Sequence, residues 1–120
     1  MTNISSIESV SGLFQAIGQE ARLQILLAIG KRETCVCHLE AVLGWRQAYI
    51  SQHLKALREA GLVSDRRQGR YIHYRLIEPA LLDLIDQAAK MMDLTLPLLA
   101  PSQDCGCPNC WKEKPGELST

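Results

Sequence analysis

The chain has 120 residues, 47% of them hydrophobic and 22% charged, and its formal net charge is zero. That length and balance describe a single globular domain with a modest core and exclude a disordered or multidomain chain. No stretch approaches the roughly 18 apolar residues that a membrane-spanning helix needs, and Met1-Thr2-Asn3-Ile4-Ser5 has no basic segment leading into an apolar run, so a cytoplasmic protein with no membrane partner is expected.

In chain order, Ser5-Ser6-Ile7-Glu8 has the form of a capping box, which places the start of a first helix there. Ile7, Val10, Leu13, Phe14 and Ile17 follow at helical spacing until Gly18 interrupts. A second helix is predicted over 20–29, with Ala21, Ile25, Leu26 and Ile29 on one face and Gly30 as its stop. A third, short helix fits 36–43, turning Val36, Leu39, Val42 and Leu43 inward and stopping at Gly44. A fourth is predicted over 47–60, with Ile50, Leu54 and Leu57 as its buried stripe, Ser51, Gln52, Lys55 and Arg58 opposite, and Gly61 to close it.

The period then changes from helical to alternating. Residues 62–76 read as a two-stranded hairpin turning at Gln68-Gly69, with Ile72, Tyr74 and Leu76 on one face and Tyr71, His73 and Arg75 on the other. Pro79 suits the first turn of a fifth helix, which is apolar on more than one face through Leu81, Leu84, Ile85, Ala88, Met91, Met92 and Leu94, with Pro97 and Pro101 ending it. So many apolar faces on a terminal helix point to a partner subunit. The domain is thus expected over 1–98, and 99–120 form a polar, cysteine-containing tail. The fold class is mainly α with a small β-hairpin, in the order of four helices, hairpin, fifth helix.

Charge is distributed unevenly. Residues 46–75 hold seven basic side chains against two acids in a neutral chain, an electrostatic footprint for a polyanion. The third and fourth helices, with glycine between them, have the layout of a helix-turn-helix, and the basic hairpin after them is placed as a wing. Gln47, Tyr49, Ser51, Gln52 and His53 near the leading end of the fourth helix are the candidates for base and nearby backbone contacts. Lys55 and Arg58 suit phosphates, and Arg66, Arg67 and Arg70 at the hairpin tip suit phosphates or an adjacent minor groove. A merely solvated polar face is the plain alternative for any single residue, but not for helix order, glycines, wing and charge together.

The run from Gln47 to Val63, QAYISQHLKALREAGLV, closely resembles the recognition helix of the ArsR/SmtB family of bacterial metal-responsive repressors. Residues 67–76, RQGRYIHYRL, are similar to its wing, and residues 20–26, EARLQIL, to its second helix. The resemblance covers about 7–95. It implies a winged helix-turn-helix homodimer joined through the first and last helices, bound to an inverted-repeat operator in double-stranded DNA, and released when an effector binds.

Glu33-Thr34-Cys35-Val36-Cys37-His38 resembles the Cys-Val-Cys box with which thiol-type members bind arsenite, antimonite, cadmium or lead. Soft ions prefer thiolates, and a helix N-terminus favours thiol ionisation. Two residues apart on a regular helix the two sulfurs diverge, so they can converge only where the helix begins. Thr34 stands where the family usually has Leu, and His38 where it has an acid; His38 is either an added ligand or a bystander.

The tail adds Cys105, Cys107 and Cys110 in a Cys-x-Cys-x-x-Cys cluster, where Gly106 and Pro108 permit tight turns. Either the tail completes a site with Cys35 and Cys37, in the same or the other subunit, or it binds an ion alone. A structural zinc site in the tail and a Cys107–Cys110 redox pair are the alternatives. The latter would make the protein a redox or sulfur-species sensor. A thiol oxidoreductase is not expected, because Cys107-Pro108-Asn109-Cys110 opens no helix beside a sheet. Asp83, Asp86 and Asp93 have no histidine beside them and read as a solvated face. A metal that pulls on residues 35–37 is expected to tilt the third helix and, with it, the reading helix packed against it.

Overall fold

The computed structural model describes residues 4–96; the three tail cysteines lie outside them. Helix α1 spans Ile4–Ile17 and α2 spans Glu20–Ile29. Strand β1, Thr34–Cys35, leads directly into α3, Val36–Leu43. Then come α4, Gln47–Glu59, the hairpin strands β2, Val63–Gln68, and β3, Tyr71–Leu76, and finally α5, Ala80–Met91. The arrangement is a winged helix-turn-helix, mainly helical, as the sequence predicts.

Apolar periodicity makes the core. Ile25, Leu26 and Ile29 of α2, Leu39 of α3, and Ile50, Leu54 and Leu57 of α4 are completely buried and pack with Val63, Leu76, Leu82 and Ile85. Helix α2 packs against both α3 and α4, and these pack against each other. Gly44 ends α3 in the left-handed conformation (φ 72°) and donates its N–H to the Glu40 carbonyl at 2.8 Å. This glycine gives the turn of the helix-turn-helix.

The structure differs from expectation in four places. The sheet has three strands, in the order β1-β3-β2, not two: Thr34 and Cys35 pair antiparallel with Tyr74 and His73. A two-residue strand is too short for any alternation to announce it. His73, read on the face opposite Ile72, Tyr74 and Leu76, is fully buried as well, with β1 paired beside β3 and α3 packed against it. Helix α1 already runs at Ile4, so Ser5 sits inside the first turn and accepts at its carbonyl from Ser9 Oγ, 2.9 Å away, in place of a capping box. Helix α5 stops at Met91, before either proline. Asp93 takes φ 58°, and the N–H groups of Asp93 and Leu94 donate to the carbonyls of Lys90 and Ala89, the paired bonds of a Schellman stop.

Candidate nucleic-acid interface and thiol box

Helix α4 presents two faces. Gln47, Tyr49, Gln52, Lys55 and Arg58 are exposed and Ser51 is half-buried, so these six candidate residues stand on or beside the open side of the reading helix. Trp45, just before the helix, meets the Tyr49 ring edge to face at 5.4 Å, which props Tyr49 at the leading end. Arg58 reaches across to Asp65 of β2, 3.0 Å away, with both side chains exposed.

His53 does not belong with them. It is only 7% exposed, its ring meets Tyr49 at 4.7 Å, and Arg22 of α2 donates from Nε to its Nδ1 at 3.3 Å. Arg22 is itself anchored on the Ala16 carbonyl at the end of α1. Burial, and then the Arg22 charge, holds the imidazole below its ordinary pKa. The expectation that His53 contacts DNA is corrected accordingly: 50, 53, 54 and 57 form one helical stripe, a spacing visible in the sequence, and position 53 falls inside it.

The wing carries Arg66, Arg67 and Arg70, all exposed. Gly69 takes φ 62° at the first position of the two-residue turn between Gln68 and Tyr71, where hairpin twist demands a residue tolerant of positive φ. The Arg70 guanidinium lies 5.6 Å from the centre of the Tyr71 ring. Arg66 is engaged: it forks onto Glu33, with Nε to Oε2 at 2.9 Å and a terminal nitrogen to Oε1 at 2.6 Å. That pairing draws the Glu33 carboxyl below its ordinary pKa.

The thiol box forms where strand gives way to helix. Cys35 is the N-cap of α3, with extended backbone (φ −84°, ψ 161°), and its sulfur accepts from the His38 N–H at 3.3 Å, the place where Ser, Thr, Asp or Asn usually stands. Because Cys35 is outside the helix and Cys37 inside it, the two side chains turn toward each other. Their Cα atoms are 5.4 Å apart and their sulfurs are joined as a disulfide, where free thiols were expected. Cys35 is buried, and Cys37 and Tyr71 pack against it. Thr34 fits its buried position because its hydroxyl donates to the Ile29 carbonyl at 3.4 Å. His38 is buried, with Nε2 3.4 Å from the Arg32 guanidinium; burial first, then Arg32, pushes its pKa down to about 4.

Among the described residues, no group of three or more His, Cys, Asp or Glu side chains is placed to hold a metal ion. Once reduced, Cys35 and Cys37 offer two sulfur donors at a helix N-terminus. Glu33 and Arg22 have no role legible in the sequence; their partners lie 33 and 31 residues away, beyond the reach of local pattern.

The sequence model of bacterial regulatory proteins of the arsR family matches residues 19–65. The arsenic resistance transcriptional regulator ArsR1 of Pseudomonas putida is 36% identical over 91 residues, 74% of this chain and 70% of that protein. The chain belongs to the ArsR family. The arsenical resistance operon repressor of Escherichia coli K12 is 48% identical over 65 residues; the match spans 53% of this chain and only 56% of that relative. Among solved structures, the homodimeric winged helix-turn-helix DNA-binding domain Mb0332 of Mycobacterium bovis superposes with a TM-score of 0.67 at 27% identity, over 75% of this chain and 83% of that one. These relatives are DNA-binding transcriptional regulators, not enzymes, and this ArsR-family chain shares their fold. Among the described residues, no helix is long and apolar enough to cross a membrane.

Proposed function

We propose that this ArsR-family chain is a thiol-dependent repressor that holds an inverted-repeat operator as a homodimer and leaves it when a soft ion binds its cysteines. The observation that carries the reading is the meeting of the Cys35 and Cys37 sulfurs at the N-terminus of α3, the helix packed against the reading helix α4. Ligation there acts on the helix-turn-helix at its first residue. Arsenite, antimonite, cadmium and lead suit thiolate ligands, and zinc is a further fit. Cys105, Cys107 and Cys110 of the tail 99–120 are the donors that raise the site from two sulfurs to three or four.

Gln47, Tyr49, Ser51 and Gln52 read bases and nearby backbone, while Lys55, Arg58, Arg67 and Arg70 meet phosphates. Dimerisation has a surface to use. Ile7, Val10 and Phe14 of α1 are each more than half exposed, as are Met91 and Met92 at the end of α5. An apolar cavity of about 310 Å³ lies between these helices, lined by Phe14, Leu23, Leu84 and Met92 among others. An apolar face of this kind calls for a partner, and Mb0332 is homodimeric.

The disulfide supports a second reading, in which an oxidant closes the box by taking two electrons and two protons from the thiols, with no metal required. One experiment separates the two. The reduced dimer on duplex DNA from its own promoter is titrated in parallel with arsenite, cadmium, lead, zinc and diamide. Release by an ion under reducing conditions supports the metal reading; release by diamide alone supports the redox reading. No release by any of them refutes both.

A further inference from the structure

Arg66 belongs to the basic wing, yet its guanidinium is paired with a carboxylate, that of Glu33. It lies on β2 opposite His73 of β3, and His73 in turn faces Cys35 of β1. This three-strand ladder brings the residue before β1, Glu33, alongside Arg66. Both Glu33 oxygens accept from the fork, at 2.6 and 2.9 Å, with the arginine side chain 48% and the glutamate 24% exposed. A bidentate pair of this kind uses the same nitrogens in the same plane that a phosphate would use. The other wing pair, Arg58 with Asp65, is a single contact at 3.0 Å.

We propose that Glu33 is a positioning residue that competes with DNA phosphate for Arg66, acting as an electrostatic brake on the wing. While the pair is closed, its net charge is zero and Arg66 adds nothing to phosphate binding. Opening it gives the wing one more phosphate contact. Glu33 immediately precedes the strand that ends in Cys35, so the brake is sited where any movement of the thiol box displaces it. The inference rests on the proposed interface, in which α4 and the wing lie on DNA.

Phosphate contacts are independent of sequence, so a random-sequence duplex is a sufficient probe, with fluorescence anisotropy over a range of salt concentrations. Glu33→Gln is expected to tighten binding by about two- to five-fold per wing at low salt, the span of an exposed ion pair. It should also steepen the log–log salt slope by about 0.9 per wing, about 1.8 for the homodimer, the mark of one added phosphate contact in each subunit. Both gains should vanish in the Glu33→Gln/Arg66→Gln double variant. Glu33→Ala must reproduce them, which guards against a folding defect peculiar to one substitution. Glu59→Gln, an exposed acid on α4, controls for the mere loss of a negative charge. Unchanged or weaker binding by Glu33→Gln, an equal gain from Glu59→Gln, or a gain that survives loss of Arg66 overturns the brake. If Lys55→Ala also has no effect, the fault lies in the interface itself; if Lys55→Ala weakens binding while Glu33→Gln fails to tighten it, only the brake is refuted.

Discussion

Cys35 carries two roles that a single substitution would confuse, and the structure says how to part them. Its sulfur caps α3 by accepting from the His38 N–H, and it is 1% exposed. Cys35→Ala therefore removes a cap, worth about 1 kcal/mol, and leaves a small void where a sulfur was, worth about 1 kcal/mol more. The expected destabilisation of about 2 kcal/mol lowers the melting temperature by roughly 8 °C in a domain of this size. Cys35→Ser keeps an acceptor on the same atom position and should lose less than about 1 kcal/mol. Both variants lose the second thiolate, so both should lose the response to soft ions. Thermal melts of the reduced proteins, followed by DNA titration with arsenite and cadmium, read the two roles separately. The serine variant should bind DNA as the parent does and stay bound as ion is added, forfeiting a coupling that in such systems is typically about 5- to 150-fold. A reduced Cys35→Ala protein that melts with the parent would refute the capping role. Ion-driven release of a Cys35→Ser/Cys37→Ser protein at the parent's concentrations would remove the box from the mechanism.

Burial holds the imidazoles of His38, His53 and His73 below the ordinary histidine value of 6.5. Below that value the unfolded chain takes up more protons than the folded one, so this part of the stability is complete above pH 6.5 and is lost as the pH falls toward the depressed folded values. Melts from about pH 8 down to about pH 5 should show the loss, and a flat profile across that span would contradict the burial of all three rings. On the exposed face of α1, Val10 is 52% exposed. Val10→Glu should leave the monomer's melting nearly unchanged but shift sedimentation equilibrium from dimer to monomer. Persistence of the dimer would place the subunit interface elsewhere.

The sequence determined the helices, because each is written in local signals: apolar residues three and four apart, Gly30, Gly44 and Gly61 at the stops, and a change of period at residue 62. It also determined the wing turn at Gly69 and the one place where Cys35 and Cys37 can meet, since side chains two apart converge only where a helix starts; the bond that joins their sulfurs was not legible there. The tertiary structure decided what depends on partners distant in the chain. It turned His53 inward onto Arg22, paired the buried His73 with a two-residue strand, and closed Arg66 onto Glu33. Those outcomes follow from which strand lies beside which and which helix offers a donor, contacts separated by some thirty residues that carry no periodic trace. Periodicity records the face a residue presents to its own element; only packing records what meets that face.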